Sequence, residues 1–270
     1  MRLLAVIISY YPEKELLIRD FKSFENQVDK IIIWENTPEL EREKFRYIVS
    51  PKVEYVAANS NSISAGLNYA WQYAVNYGYD YILTMDQDSE FLNFNVYLNL
   101  TILSETSPKG IYQPRLNNCP SCDKEYSVAF RTYTSGTLIA TEILNKIKGY
   151  REDFLIDAID FELCTRARLY DIPTYVVNSA VMMHHFGELH KIKYLGLSTY
   201  NYSPMRLYGI LRNHMIVLRE YKNIPFIVRY TTIKNFFVIM PFKVLLFENN
   251  GLRKFINCYK GLIDGLKYKK

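Results

Sequence analysis

One stretch of the chain sets an apolar run directly before two carboxylates: Tyr81-Ile82-Leu83-Thr84-Met85-Asp86-Gln87-Asp88-Ser89. A short apolar run that ends in turn-forming residues indicates a buried strand. Two carboxylates at the end of such a strand can address one ligand while solvent still reaches them, and Mg²⁺ or Mn²⁺ takes oxygen ligands of this kind. An acidic turn that merely terminates the strand is the alternative interpretation, and the pair alone leaves both open.

Strand-like and helical segments alternate ahead of this stretch. This alternation predicts an α/β fold with a Rossmann-like, mainly parallel central sheet that is flanked by helices. Ligands of such sheets bind beyond the carboxyl ends of the strands. Glu35 and Asp86 both fall at such ends, so we expect them to converge although they are 51 positions apart. The predicted segments are strands at Leu3–Ser9, Lys30–Trp34, Val53–Ala57 and Tyr81–Met85, and helices at 14–28 and 63–77.

The pattern changes after this first half, and the chain beyond Pro204 is predicted to be helical, aromatic and basic. No flexible linker separates the parts. We therefore expect a catalytic domain over 1–205 and a helical, basic C-terminal segment over 206–270 packed on it. The intervening predictions are helices at 95–104 and 161–170 and strands at 111–115, 127–134, 137–140, 174–177 and 180–184.

Charge is unevenly distributed along the 270 residues. The net charge is +5, but from Arg206 onward 13 basic residues face 3 acidic ones, and the first 205 residues carry 20 basic and 25 acidic groups. This asymmetry argues against a nucleic-acid binder and for a local partner surface. Four cysteines, together with a first apolar run too short for an export signal, favour a cytoplasmic protein.

A second acidic cluster lies at the predicted start of the helix near residue 161. Asp157, Asp160 and Glu162 fall within six positions there. They fit a helix cap and a first turn that favours acidic groups. The other interpretation is that one carboxylate is a general base that takes a proton from an attacking hydroxyl.

Two further motifs contain metal-binding residue types. Adjacent His184 and His185 point to opposite faces of a strand, so at most one of them can face a site. A structural role for both remains the alternative. Cys119-Pro120-Ser121-Cys122 has no second cysteine pair and no nearby histidine, so an ordinary loop is predicted instead of a zinc or redox site.

The basic tail contains a strongly apolar stretch, Phe226–Phe247, which Arg229, Lys234 and Lys243 interrupt. Because no charge-free run of 18 residues occurs there, no transmembrane helix is predicted. Basic, aromatic helices suit the anionic inner leaflet of a membrane, where the protein would be peripheral. An amphipathic helical cap on the core is an equally good interpretation.

Taken in order, these motifs resemble the family 2 glycosyltransferases of GT-A fold, especially their bacterial rhamnosyltransferase branch. The resemblance runs from about residue 3 to 215. Glu35 stands where the family usually has Asp, and Ser62 where Gly is usual. The matching segments are 6–12, 33–37, 61–68, 83–89, 135–138, 156–166 and 183–187, followed by Arg206-Leu207-Tyr208 and Arg212-Asn213.

The resemblance implies a role for each site residue. Asp88 and His184 would hold Mn²⁺ or Mg²⁺, Asp86 the ribose and Glu35 the base or ribose of the donor. Asp160 would be the catalytic base of an inverting, single-displacement transfer. Donor contacts are further expected from Ser9, Tyr10, Tyr11, Asn61, Asn68, Gln87, Ser135 and Gly136, and acceptor or diphosphate contacts from Asp157, Glu162, Arg206 and Arg212.

The DQDS form of residues 86–89 favours dTDP-rhamnose as the donor, with UDP-hexoses open. The acceptor would be a saccharide or a lipid-linked saccharide of bacterial surface polysaccharide assembly. A nucleotidyltransferase, a non-catalytic nucleotide-sugar or carbohydrate-binding module, and a membrane-surface scaffold are the rival interpretations. The chain shows no P-loop, no G-x-G-x-x-G and no G-x-S-x-G pattern, which weighs against phosphoryl-transfer, dinucleotide and serine-hydrolase chemistry.

Overall fold

A computed structural model describes residues 1–154, 156–184, 190–192 and 197–269. Within these residues one mixed sheet has the strand order β3-β2-β1-β4-β8-β6-β9-β5, and β7 also pairs with β9. Its strands are β1 Leu3–Ser9, β2 Lys30–Glu35, β3 Val53–Ala57, β4 Tyr81–Asp86, β5 Ser89–Phe91, β6 Ile111–Leu116, β7 Tyr126–Ala129, β8 Thr137–Ala140 and β9 Thr174–His184. A separate antiparallel pair consists of β10 His190–Ile192 and β11 Leu197–Thr199.

The helix at Ile63–Tyr77 has the predicted bounds, whereas the helix predicted over 95–104 is Phe94–Asn99 and ends five residues early, and the helix at Thr141–Ile147 is not among the predicted elements. The two helices predicted over 14–28 and 161–170 each end in a short 3₁₀ turn, so their α-helical parts are shorter than expected. The helices are α1 Lys14–Phe24, α2 Ile63–Tyr77, α3 Phe94–Asn99, α4 Thr141–Ile147, α5 Ile159–Ala167, α6 Pro204–Glu220, α7 Phe226–Thr232, α8 Met240–Phe247 and α9 Gly251–Lys267, and π-helical residues Ile233–Ile239 join α7 to α8.

Helix α2 shows how the sequence builds the first half. Ser62 caps its N-terminus by accepting a hydrogen bond from the Ala65 amide, and Gly78 ends it in the left-handed conformation. A Cβ at Gly66 would lie 2.6 Å from the Trp34 ring, so glycine lets the helix pack closely against the sheet. The four parallel strands β3, β2, β1 and β4 lie beneath such helices, and the predicted α/β class is confirmed.

The second half of the sheet is mixed instead of parallel. Strand β8 runs antiparallel to β4 and to β6, while β9 runs parallel to β6. The two short strands expected at 174–177 and 180–184 form one strand, because β6 shifts register between Pro114 and Arg115 and so accommodates an irregularity in β9. Of the strand expected over 127–134, β7 covers the first three residues.

The chain divides into two compact units, each with its own internal contacts. The first unit is Met1–Leu155 with Arg166–His185, and the second is Ile156–Thr165 with Phe186–Lys270. The acidic segment around Asp160 therefore belongs with the C-terminal helices, whereas the sequence suggested a boundary at 205/206.

The second unit has the helical, basic tail that the sequence predicts. Its core is an apolar cluster of α6, α8 and α9 residues with side chains of the π-helical segment packed against it. The helical stretch Phe226–Phe247 is long and apolar enough, by length and composition, to cross a membrane, although little of it is buried in the protein. The cluster comprises Leu207, Ile210, Leu211, Val244 and Cys258, with Tyr202, Phe236, Phe237 and Met240 against it.

Candidate active site

The carboxyl ends of β1, β2 and β4 meet at one edge of the sheet. Ser9 lies opposite Glu35 in the β1–β2 register, and Ile8 lies opposite Asp86 in the β1–β4 register. Both Ser9 and Glu35 are buried, while Asp86 is partly exposed. The strand ends predicted to carry the site therefore lie side by side.

Asp86, Asp88 and His184 come together at this edge. One ligand atom from each lies within 4.8 Å of the others, and all three residues are partly exposed. His184 lies near the two carboxylates because β5 pairs antiparallel with β9, which sets Ser89 opposite His184. Two carboxylates and one imidazole suit Mn²⁺ or Mg²⁺, so the donor set fits a divalent cation.

The His184 ring is oriented by a hydrogen bond between its Nδ1 and the Ser89 hydroxyl, 2.6 Å apart. Metal-binding histidines generally have their second ring nitrogen held in this way. The contact therefore fits His184 to the role of a ligand through Nε2. Its neighbour His185 lies outside the described residues, as do Phe186, Gly187 and Glu188.

Backbone ties hold the carboxylate turn in place. The Asp86 amide donates to the Ser135 hydroxyl (3.1 Å). Gln87 accepts from the Tyr10 amide (2.6 Å) and donates to the Tyr10 carbonyl (3.0 Å), so its side chain joins the ends of β1 and β4. Gly136 has φ of +80° and accepts from the Tyr97 hydroxyl. In the structure, Ser135 thus holds the Asp86 backbone and Gln87 holds the adjoining turn, while Gly136 is held by Tyr97.

The turn after β1 presents two tyrosines. Tyr10 and Tyr11 are 47% and 39% exposed, with rings in edge-to-face contact. Tyr11 has φ of 45°, which is uncommon for a bulky residue and marks a constrained turn. Its hydroxyl donates to Glu41, and this hydrogen bond raises the pKa of Tyr11 to about 12. Exposed rings at a sheet edge are suited to contact a planar base.

Glu35 forms a two-point ion pair. Arg46 donates from Nε (2.9 Å) and Nη2 (2.7 Å) to the two carboxylate oxygens of Glu35. Arg46 also pairs with Glu43. Both Glu35 oxygens accept from protein donors, so a hydroxyl of a bound nucleotide would share them with Arg46.

The two asparagines expected at the donor differ in their surroundings. Asn61 is exposed at the start of the segment that leads into α2. Asn68 is buried and holds the loop after α4: it donates to the Tyr150 carbonyl (2.9 Å) and accepts from the Tyr150 amide (2.7 Å). The structure therefore shows Asn68 in a loop-holding role.

In the second unit, Asp157 and Arg206 form an ion pair with two contacts of 3.2 Å. Asp157 and Ala158 both have positive φ, 59° and 60°, and the Asn213 side chain donates to the Asp157 carbonyl (3.2 Å). Non-glycine residues in this conformation need support from their surroundings and are enriched at functional sites.

The other predicted residues of this unit lie on α5 and α6. Asp160 is partly exposed in the first turn of α5. Glu162 is buried and accepts a hydrogen bond from the Tyr221 hydroxyl, and Arg212 donates to Asn213 (2.8 Å). That Asp160 acts on the substrate stays a prediction, as do the substrate contacts of Glu162 and Arg212.

Cys119 and Cys122 are exposed between β6 and β7 and form no disulfide. The loop interpretation of this motif is confirmed by the absence of helix or strand over 117–125.

Sequence reasoning missed several residues that contact the predicted site residues of each unit. Ser89, Arg46 and Tyr221 act through contacts with residues 95, 11 and 59 positions away, respectively, which no local pattern reveals. Asp20 is fully buried in α1. It had a signal, since it falls on the apolar side of a predicted helix.

Comparisons with known proteins agree with this geometry. No family model matches the chain. The chain is 24% identical over 238 residues to the dTDP-rhamnosyl transferase RfbF of Shigella flexneri, which covers 80% of this chain and 79% of that protein.

Three solved structures share the fold. The match to the structure of S. aureus TarS 1–349 in complex with UDP-GlcNAc covers 98% of this chain and 81% of that one (TM-score 0.60, 13% identity). It matches a Pyrobaculum calidifontis mannosyltransferase with GDP-Man and Mn²⁺ (TM-score 0.59, 12% identity, 100% of this chain and 76% of that one). GalNAc-T7 with UDP, GalNAc and Mn²⁺ gives TM-score 0.63 at 11% identity, over 99% of this chain and 56% of that one. With its strand-end carboxylates and its similarity to RfbF over 238 residues, the chain is a glycosyltransferase of GT-A fold and resembles a bacterial dTDP-rhamnosyl transferase in sequence.

Proposed function

We propose that this glycosyltransferase is metal-dependent and inverting, and that it transfers rhamnose from dTDP-rhamnose to a saccharide or lipid-linked saccharide of bacterial surface polysaccharide assembly. The observation that carries the proposal is the cluster of Asp86, Asp88 and His184 at the carboxyl edge of the sheet. The choice of sugar is supported by the similarity to a dTDP-rhamnosyl transferase.

Asp88 and His184 are the proposed ligands of a divalent cation, Mn²⁺ or Mg²⁺. Bound there, the cation would supply positive charge to the departing diphosphate. Ser89 keeps the His184 ring oriented, and Ser135 and Gln87 hold the turn that carries both carboxylates. These ties fix the ligands before the donor binds, so little ordering is needed at that step.

Nucleotide contacts are proposed for the neighbouring strand ends. Asp86 would accept from the ribose hydroxyls, and Glu35, held by Arg46, would contact the base or ribose. Tyr10 and Tyr11 offer exposed rings beside Ser9. The exposed Asn61 is a further candidate for the donor, whereas Asn68, Gln87, Ser135 and Gly136 would act by supporting the residues that touch it.

Asp160 is the proposed general base. The bond between the anomeric carbon and the diphosphate oxygen breaks while the acceptor oxygen forms its bond on the opposite face. The acceptor hydroxyl proton passes to the Asp160 carboxylate, and the nucleotide diphosphate leaves. The strained Asp157–Ala158 backbone directly precedes the helix that bears Asp160; Arg206 holds the Asp157 carboxylate, and Asn213 holds the Asp157 carbonyl. Arg206 and Arg212 also offer positive charge for an acceptor phosphate.

Titration calorimetry of dTDP-rhamnose, UDP-glucose and UDP-galactose, each with Mn²⁺ and with EDTA, tests the proposal. We expect the tightest binding for dTDP-rhamnose with Mn²⁺ and its loss in Asp88→Ala. Asp160→Asn should bind the donor normally but transfer about 10²–10⁴-fold more slowly, because general base catalysis typically contributes this factor. The product anomer, read by NMR, should be opposite to that of the donor.

Each contrary result identifies a different failure. Equal donor affinity with Mn²⁺ and with EDTA would remove the cation from the mechanism. Tightest binding of a UDP-hexose would replace the donor. Donor binding without transfer or hydrolysis, for every acceptor supplied, would favour a nucleotide-sugar-binding module. Near-normal transfer by Asp160→Asn would exclude it as the base.

We also propose that the tail lies on the cytoplasmic, anionic surface of a membrane. Helices α7, α8 and α9 expose large apolar side chains next to basic ones such as Lys234, Arg253 and Lys260. The opposite side of this stretch packs in the core of the second unit, and Arg229 donates to the Leu218 and Tyr221 carbonyls. A helix held along the protein in this way favours lying on a membrane over crossing it.

A further inference from the structure

Asp20 is a buried carboxyl group in the middle of helix α1. It shares the inward face of the helix with Leu17, Phe21 and Phe24 and is 0% exposed. Among the described residues neither of its carboxylate oxygens has a hydrogen-bond partner. Carboxyl groups are almost never fully buried without a partner, because the charged form loses its hydration. An apolar residue would serve the packing of α1 better, so packing does not explain Asp20.

The charged groups that act on Asp20 are acidic. Burial is the largest influence and raises the pKa of Asp20 well above its usual range, and the charges of Asp86, Asp88 and Glu90 raise it further. Two of these three are the strand-end carboxylates of the candidate cation site. Burial and these acidic neighbours thus both disfavour the ionised form of Asp20 as long as no cation is bound nearby.

Helix α1 is fastened to the strand that leaves this site. The Phe91 amide in β5 donates to the Ser23 hydroxyl (3.1 Å), and the same hydroxyl donates to the Asp20 carbonyl (2.7 Å). Strand β5 begins at Ser89, directly after Asp88. One hydroxyl thus joins the backbone at Asp20 to β5, the strand that begins one residue after Asp88.

We propose that Asp20 is a positioning residue of the cation site, whose buried carboxyl group strengthens the binding of a divalent cation to Asp88 and His184 without touching the cation. This inference rests on the proposed cation site. A negative group in a low-dielectric interior interacts more strongly with a nearby cation than an exposed one does. The cation offsets the acidic groups that crowd this region, so the ionised form of Asp20 is disfavoured in the cation-free protein and less disfavoured in the loaded one.

Manganese binding to the full chain, measured by the EPR signal of free Mn²⁺, tests the proposal with Asp20→Asn and Asp20→Leu. Both variants remove the ionisable carboxyl group; Asn keeps the shape of the side chain, and Leu replaces it with an apolar one. We expect Kd for Mn²⁺ to rise by about 10-fold in both, in the range found when a group behind metal ligands is lost. Without metal, the midpoint of thermal unfolding of both variants should equal or exceed that of the unaltered protein. On adding Mn²⁺, the midpoint should rise less in the variants than in the unaltered protein.

Glu15→Gln is the matched control, since it removes one acidic charge from an exposed position of the same helix. Its Kd should equal that of the unaltered protein. A Kd within twofold of the unaltered value in both Asp20 variants would overturn the proposal, and so would a midpoint that falls equally with and without Mn²⁺. If the unaltered protein does not bind Mn²⁺, the cation site itself is wrong and the inference falls with it; normal binding that Asp88→Ala abolishes and the Asp20 variants retain refutes the inference alone.

Discussion

Asp157 lies in an ion pair in which its own side chain is more enclosed than that of its partner. Its side chain is 18% exposed, against 39% for Arg206, whose guanidinium also lies 4.1 Å from the centre of the Tyr202 ring. Burial raises the pKa of Asp157, and Arg206 counteracts that rise. The folded state thus favours protonation of Asp157 more than the unfolded state does. The ionised carboxylate therefore opposes folding once the pH exceeds the pKa that Asp157 has in the unfolded state.

We predict that Arg206→Met destabilises the protein more at pH 8 than at pH 5. Loss of the Arg206 guanidinium lets the pKa of Asp157 in the folded state rise further. The loss of folding stability is therefore complete above that raised pKa, and it diminishes as the pH falls toward the pKa of Asp157 in the unfolded state. The loss at pH 8 is expected to be on the order of 1–3 kcal/mol, because the pair is partly exposed and partly screened. Thermal unfolding from pH 5 to 8 measures it.

Arg206→Lys is the control for this pair, because it keeps the positive charge and should lose less stability at pH 8. A loss of stability in Arg206→Met that does not change with pH would show that the Tyr202 contact matters and the charge of Asp157 does not.

Helices α6 and α9 form the framework of the second unit, and glycine determines how close they lie. A Cβ at Gly261 of α9 would fall well inside contact distance of the Tyr208 carbonyl oxygen in α6. Because that oxygen belongs to the backbone, it cannot turn aside. A Cβ at Gly209 of α6, by contrast, would have no atom within 4 Å. A methyl group is therefore expected to fit at Gly209 and to clash with the backbone of α6 at Gly261.

We predict that Gly261→Ala destabilises the protein by about 1–3 kcal/mol, as overpacking of a close contact typically does. Gly209→Ala is the matched control and should stabilise by about 0.5–1 kcal/mol, since alanine is the better helix former and has room. Urea unfolding of both variants measures these differences. Equal effects of the two substitutions would show that the helices are not in close contact at Gly261.

The positions of many individual helices and strands were predictable from the sequence. Strands β1 and β3 and helix α2 end where turn residues and apolar periodicity indicate, because these signals are local. The fused strand β9 was missed, since the polar Asn178-Ser179 in its middle looks like a turn. Residues 174–177 pair with β6 and β7, and β6 pairs again from Val181, so the strand continues on both sides of the irregularity at Asn178-Ser179.

Across the molecule, the tail carries the excess positive charge and much of the exposed apolar surface. On α9, Leu252, Ile256 and Tyr259 recur at helical spacing and are 67%, 44% and 58% exposed. Exposed apolar side chains next to basic ones suit an anionic bilayer. The exposed apolar residues of the preceding stretch are Phe226, Ile227, Tyr230, Ile233, Val238, Ile239, Phe242, Leu246 and Phe247.

We predict that the full chain floats with vesicles that contain phosphatidylglycerol and less with pure phosphatidylcholine. The triple variant Phe226→Ser, Phe242→Ser, Leu246→Ser should float several-fold less, because about 0.8 kcal/mol of membrane affinity is lost for each buried CH₂ removed. High salt should weaken the binding to anionic vesicles. Flotation in a density gradient measures all three effects.

Leu40→Ser is the control, since Leu40 is 96% exposed in the first unit. It should leave flotation unchanged. If the full chain does not float with anionic vesicles, the membrane proposal is wrong and the exposed apolar surface must have another partner.

The amino-acid sequence alone predicts the α/β class, the strand ends and the two carboxylates of Asp86 and Asp88, because strand and turn signals depend on neighbouring residues. Tertiary structure decides what stands beside them. The β5–β9 pairing brings His184 to Asp88 from 96 positions away, Arg46 forms an ion pair with Glu35, and Asp20 is fully buried in α1. These contacts depend on strand register and on helix packing between distant segments, which local periodicity does not encode.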